Sequence, residues 1–244
     1  MHLSEEMDRA RVTAETEKLR SALLTSISHD LRTPLASILG SDTSLKQYRH
    51  QLDEAGQAEL LATIQEEAER LNHFIANLLD MTRLESGAVA PRLETIDVGD
   101  VVGSVLRRAA RLLAGHHVTL EIPAGLPAAR LDPVLFEQVL FNLLDNAAKY
   151  APSGSMVMVR AGEENGRIRI DVMDGGEGLP DEDRERVFDK FYRVLASDRK
   201  RAGTGLGLSI ARGFMEAMSG TISASNRGDH GGAVFTLTLP RGST

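Results

Sequence analysis

The feature that most constrains this chain is an apolar seam between residues 61 and 82. Leu61, Ile64, Ala68, Leu71, Ile75, Leu78 and Thr82 alternate steps of three and four residues, which lays them along one stripe of a helix for about three heptads. Gly87, following Glu85 and Ser86, suits a C-terminal cap. Upstream, Leu24, Ile27 and Leu31 keep the same spacing, and that helix is expected to run through Ile38 and Leu45 toward Leu52. Glu54-Ala55-Gly56 offers a turn between the two. Two seamed helices joined by a short turn cannot bury both stripes alone, but two copies forming a four-helix bundle can. A homodimer is therefore expected; the alternative is a helix pair packed on the rest of its own chain.

The upstream helix carries Ser28-His29-Asp30-Leu31-Arg32-Thr33-Pro34-Leu35. With Leu24 at heptad position a and Ile27 at d, His29 falls at f, farthest from the seam, so its imidazole is expected to project into water. Asp30 is its neighbour, and Thr33 lies one turn away on the same face. Pro34 removes a backbone donor and is expected to kink the helix just past the histidine. An exposed imidazole beside a carboxylate suits a nucleophile, and equally a solvated surface histidine. His73 reads as f by the same count, but Asn72 and Phe74 flank it.

Residues 86–96 contain Gly, Ala and Pro91, and the seam breaks there, giving a helical domain over 20–87 and a second domain over 88–244. Residues 1–19 are charged and Ala-rich, with Leu3, Met7, Ala10 and Ala14 at helical spacing; they fit a helical linker or a frayed terminus. Beyond the boundary the pattern is mixed. Helices are expected over 98–114, from the Asp132-Pro133 start to Tyr150, and over 206–218 closed by Gly220. Strands are expected at 118–122, at 156–161 and 167–173 around Asn165-Gly166, and at 221–225 and 233–239. This is an α+β sandwich, a mostly antiparallel sheet with helices on one side.

Composition removes several function classes. The absence of cysteine excludes disulfides, thiolate metal sites and cysteine nucleophiles. A net charge of −7, no tryptophan and three tyrosines argue against nucleic acid as a partner. No apolar run of membrane-spanning length and no secretory signal pattern occurs.

Chemistry is written in the second domain. A Walker-type phosphate loop is absent. Gly203-Thr204-Gly205-Leu206-Gly207-Leu208 is no dinucleotide fingerprint, since Leu208 replaces the third glycine, yet it precedes a helix whose free N–H groups suit phosphate oxygens. Asn142, Asn146 and Lys149 share a face of one helix that ends at Tyr150. Amide oxygens suit Mg²⁺, lysine suits phosphate, and tyrosine can pack on a base. Asp174-Gly175-Gly176-Glu177-Gly178 offers a carboxylate for an exocyclic amine and glycines beside which a purine can lie flat. Residues 179–203, with Phe188, Phe191, Arg193 and the Arg199-Lys200-Arg201 run, have the make-up of a lid. Each block alone also fits a turn, a polar helix face or a solvated loop.

In this order, the box around His29 and the four later blocks resemble the phosphoacceptor, N, G1, F and G2 boxes of sensor histidine kinases. The catalytic part of that family shares the Bergerat (GHKL) ATPase fold of gyrase, Hsp90 and MutL. Leu78–Gly87, Phe136–Ala147 and Arg201–Phe214 further resemble the sensor kinases of Kdp-type potassium uptake. The resemblance implies an ATP- and Mg²⁺-dependent protein-histidine kinase that phosphorylates itself and passes the phosphoryl group to an aspartate on a response-regulator receiver domain. It implies His29 as phosphoacceptor and Asp30 as its acid–base partner; the one-turn spacing of Thr33 from His29 suits it to position water for regulator dephosphorylation. Asn142 and Asn146 would serve Mg²⁺ and phosphate, Lys149 the phosphates, and Tyr150 and Asp174 the adenine. Gly176, Gly178, Gly203, Thr204, Gly205, Leu206 and Gly207 would shape the nucleotide pocket. A cytoplasmic location follows from the same resemblance, with any membrane attachment supplied by parts outside this chain. One departure is Gly175, where many members carry asparagine.

Overall fold

The computed structural model describes residues 28, 31–194, 204–228 and 231–242. His29, Asp30, Gly203, Arg199, Lys200 and Arg201 lie outside these, as do residues 1–19 and the seam positions Leu24 and Ile27. The chain divides into two compact units, Met1–Ala76 and Asn77–Thr244.

In the first unit residues 31–48 are helical (α1), Thr33 is exposed and Pro34 is buried. A turn at 49–53 leads into α2 (Glu54–Glu85). The turn precedes the expected one at Glu54-Ala55-Gly56. Asp53 Oδ1 accepts from Gly56 N at 2.8 Å, so an aspartate caps the helix and the glycine falls in its first turn. Along α2 the seam is half satisfied: Ile64 and Leu71 are half-buried, while Leu61, Ala68 and Ile75 remain exposed. His73 is half-buried rather than projecting into water.

The second unit opens with the last turns of α2. They close as expected at Gly87 (φ +66°), where Ala88 N donates to Arg83 O at 3.0 Å and Gly87 N to Leu84 O at 3.1 Å, the paired bonds of a Schellman cap. There follow β1 (Glu94–Ile96), α3 (Val98–Arg108), β2 (His117–Glu121), β3 (Ala129–Leu131), α4 (Pro133–Tyr150), β4 (Met156–Glu164) and β5 (Arg167–Met173). Two short 3₁₀ turns (Asp181–Asp183 and Arg186–Phe188), α5 (Gly207–Ala217), β6 (Thr221–Asn226) and β7 (Ala233–Pro240) complete it. The main sheet has the order β2-β4-β5-β7-β6, with β2 parallel to β4 and every other pair antiparallel. Alternation along the strands sends Val157, Val159, Ile168, Ile170, Leu237 and Leu239 into one core with Phe136, Leu140 and Leu143 of α4 and Ile210, Phe214 and Met215 of α5. The opposite face is polar: Arg169 Nε donates to Asp171 Oδ1 at 3.0 Å and Thr236 Oγ1 to the same oxygen at 2.6 Å.

Local chemistry accounts for most boundaries. Asp132 caps α4, accepting from Val134 N and Leu135 N at 3.0 and 3.2 Å, ahead of Pro133 in the first turn. Asn165 and Gly166 turn β4 into β5 with φ of +52° and +73°. The helix expected over 98–114 stops at Arg108, and turns carry the chain onward while Ala109 and Leu113 stay buried. The left-handed residue that ends α5 is Ser219 (φ +58°), not Gly220. Gly220 is required for space instead, since a Cβ there would lie 2.7 Å from both Met215 Cε and Thr238 O. Among the described residues no helix is long and apolar enough to cross a membrane.

Candidate functional site

The residues singled out between 142 and 207 come from three places: the C-terminal half of α4, the loop after β5, and the start of α5. Side chain and backbone contacts bring these together. Asn142 is 2% exposed, and its Nδ2 donates to Gly207 O at 3.1 Å, tying the middle of α4 to the first residue of α5. That bond fixes the amide and leaves Oδ1 as its acceptor. Asn146 is half-buried one turn further along. Lys149 is held by Asp145 across one helical turn, an ion pair that the sequence reading did not foresee. At the end of α4 the carbonyl oxygen of Tyr150 lies 3.2 Å from where a Cβ on Gly176 would stand. A side chain at 176 would therefore push the loop off the helix.

Asp174 directly follows β5 and is 6% exposed. Its Oδ1 accepts from Gly176 N at 2.8 Å and Ala233 N at 3.1 Å, and Oδ2 makes no hydrogen bond among the described residues. Burial pushes its pKa above the ordinary aspartate value, against the pull of those two main-chain donors and of Arg227. This is a buried, oriented carboxylate with one oxygen to spare. Gly175 next to it faces Ser155, whose Cβ lies 3.0 Å from a Cβ placed at 175; the serine takes up the room an asparagine would need.

The glycine-rich turn ahead of α5 packs against the lid root. Gly205 (φ +67°) could carry no side chain, because its Cβ would fall 2.7 Å from the carbonyl carbon of Phe191. Phe191 is itself left-handed (φ +62°), and its N donates to Gly205 O at 2.9 Å. Thr204 Oγ1 accepts from Leu206 N at 3.2 Å. Leu206 is fully buried in the core, so only its backbone faces the site. In the lid, Phe188 is buried edge-on to Phe235, centroids 6.3 Å apart, with the Arg212 guanidinium 4.1 Å from its ring centroid. Tyr192 OH donates to buried Asp183, and Arg186 stacks 4.4 Å over the Tyr192 ring. Arg193 is half-buried. Asp183, Arg186 and Ser155 were not anticipated: they sit in a charged stretch and a turn without periodicity, and only the folded chain gives them their partners.

Two family descriptions match: the His Kinase A (phospho-acceptor) domain over residues 19–87, and the histidine kinase-, DNA gyrase B-, and HSP90-like ATPase over residues 131–243. The sensor protein KdpD of Clostridium acetobutylicum is 36% identical over 241 residues, covering 98% of this chain and 27% of that protein. The chain spans about a quarter of the length of the KdpD relatives it matches. The solved histidine kinase AdeS of Acinetobacter baumannii superposes with a TM-score of 0.67 at 25% identity, covering 88% of this chain and 98% of that one. Full-length ShkA, crystallised with AMPPNP, gives 0.64 at 26% identity over 92% of this chain and 46% of that one. A phospho-acceptor helical domain followed by an ATPase sandwich, over a fold shared with a solved histidine kinase, makes this chain a member of the sensor histidine kinase family.

Proposed function

We propose that the chain is the autokinase portion of a sensor, using ATP to phosphorylate His29 and passing the phosphoryl group to an aspartate of a response-regulator receiver domain. The observation that carries this reading is Asp174, a buried carboxylate with one oxygen occupied by main-chain donors and the other left to accept from the exocyclic amine of adenine. Tyr150 packs beside the base, and Gly176 and Gly178 shape the loop under it. The N–H groups of the 204–207 turn and the start of α5 face the phosphates. Lys149 exchanges Asp145 for a phosphate oxygen when nucleotide enters.

The site fits Mg²⁺ as a companion of the nucleotide. Among the described residues no group of three or more acids or histidines could hold a metal; Asn142, whose Oδ1 is left as an acceptor, and Asn146 would offer amide oxygens to a cation that arrives with the nucleotide. When bound it offsets phosphate charge. The neutral imidazole of His29 attacks the γ-phosphorus in line, the bond to the departing ADP oxygen breaks, and Asp30 takes the ring proton. Thr33 positions water for dephosphorylation of the regulator. Exposed Leu61, Ala68 and Ile75 support a homodimer built through the 20–87 domain, with 1–19 as its helical linker and 88–244 as the nucleotide domain. The kinase works in the cytoplasm.

Incubation with γ-labelled ATP and Mg²⁺ tests the reading. Acid-labile, base-stable label is expected in the unmutated chain and in Thr33→Ala, and none in His29→Gln. Label surviving His29→Gln would show that another residue, His73 first, is the acceptor. ATP binding without label would overturn the kinase itself. Full regulator-phosphatase activity in Thr33→Ala would remove that role from Thr33.

A further inference from the structure

The loop 174–179 is gripped at both ends by one rung of the β6–β7 ladder. At its start Asp174 N donates to Ala233 O at 3.0 Å, and Ala233 N returns a bond to Asp174 Oδ1 at 3.1 Å. Asn226 is the cross-strand partner of Ala233. At the other end of the loop the Asn226 side chain accepts from Leu179 N at 2.8 Å and donates to Leu179 O at 2.7 Å. These two bonds reproduce, with one amide, the pairing that a neighbouring strand would give Leu179. Gly178 accommodates the grip. At φ +82° it swings the chain toward Asn226, and a Cβ on it would meet Asn226 Oδ1 at 2.8 Å. The β6–β7 connection closes over the same loop: a Cβ at Gly231 would lie 3.3 Å from Gly176 O, and one at Gly232 only 2.1 Å from Asp174 O.

We propose that Asn226, which lies outside all the nucleotide motifs, is a positioning residue for the nucleotide. Resting on the ATP-site reading above, it sets how far Gly176 and Gly178 stand from the base whose amine Asp174 accepts, and where the lid leaves the sheet. Without its amide, Leu179 loses both main-chain partners and the loop is anchored only at Asp174. The loop then has several arrangements to lose when a nucleotide binds, which weakens affinity.

The test titrates the 244-residue chain with AMPPNP and Mg²⁺, alongside hydrogen exchange at the Leu179 amide. Asn226→Ala removes both bonds, and affinity is expected to fall about tenfold with faster exchange at Leu179. Asn226→Asp keeps an acceptor for Leu179 N–H and drops the donor; its affinity is expected between the other two. Affinity in Asn226→Ala within about twofold of the unmutated chain, despite faster exchange, would overturn the proposal. Equal losses in both variants, in step with lost cooperative unfolding, would reduce Asn226 to a fold-stability residue. Should Asn226→Ala fail to fold, unmutated affinity in Asn226→Asp overturns it. No AMPPNP binding by the unmutated chain would instead bring down the site reading, and this proposal with it.

Discussion

At the scale of single residues, Asp174 concentrates the electrostatics of the site. Burial disfavours its charged form, and its two main-chain donors and Arg227 recover only part of that, so the pKa stands above the unfolded value of 3.8. The native protein therefore holds this proton more tightly than the unfolded chain. Its ionised form weakens the fold at neutral pH, and that penalty is relieved as pH falls through the raised pKa. Accepting from an amine needs the ionised form, so ATP affinity should begin to fall at a higher pH than exposed aspartates titrate. Asp174→Asn keeps an oxygen for Gly176 N and Ala233 N but cannot ionise. We expect about 10- to 100-fold weaker ATP binding, from loss of a hydrogen bond to a charged group, and no pH dependence from this position. Calorimetric titration of both proteins between about pH 5 and 8 checks this; a parallel pH dependence in the two would remove Asp174 from adenine recognition. Asp174 and Asn142 were legible in the sequence because they stand in ordered company. Asn226 was not, since a lone asparagine at the end of a strand is indistinguishable from an ordinary strand terminus until Leu179 is placed beside it.

At the scale of elements, sequence signals succeeded where one residue sets a boundary and failed where packing does. Asp132-Pro133 starts α4, Asn165-Gly166 makes the β4–β5 hairpin, and Gly87 caps α2, each through local bonds that need no tertiary context. The three-residue strands β1 and β3 carry too few positions for any periodicity, and the 3₁₀ turns at the start of the lid are held by Phe188 packed on Phe235 and by the bond from Tyr192 to Asp183. Gly220 shows the same limit, since its glycine answers to the Thr238 carbonyl across the sheet rather than to a helix cap. Two glycines then have opposite expectations. Gly220→Ala drives a Cβ against a β7 main-chain oxygen that cannot move alone, and should destabilise by about 1–3 kcal/mol. Gly162 in β4 has nothing within 4 Å of its notional Cβ and no positive φ, so Gly162→Ala should stabilise by about 0.5 kcal/mol, by restricting the unfolded chain. Denaturant unfolding of the two variants decides, and a neutral Gly220→Ala would show that β7 yields locally.

At the scale of the whole molecule, the unfilled half of the α2 seam is the largest unsettled account. Leu61 and Ile75 are 57% and 47% exposed, and Leu35 and Leu39 on α1 are 49% and 56% exposed. Burying the exposed half of one such side chain gains roughly 1 kcal/mol, so eight of them across a two-fold interface gain about 8 kcal/mol. That is comparable to the lower part of the 4–15 kcal/mol association cost, so the half-buried Ile64 and Leu71 must contribute for the dimer to hold. A balance this close makes the interface sensitive to one charge. Ile75→Asp places two facing carboxylates in the seam and forfeits two apolar contacts, enough to shift the protein to monomer at micromolar concentration. Nucleotide affinity should be unchanged, because every residue proposed to face adenine or phosphate belongs to the Asn77–Thr244 unit. Sedimentation equilibrium with AMPPNP titration separates the two properties. A dimer that survives Ile75→Asp would place the interface on another face of α1 and α2, and a matching loss of AMPPNP affinity would mean that dimerisation also shapes the nucleotide site.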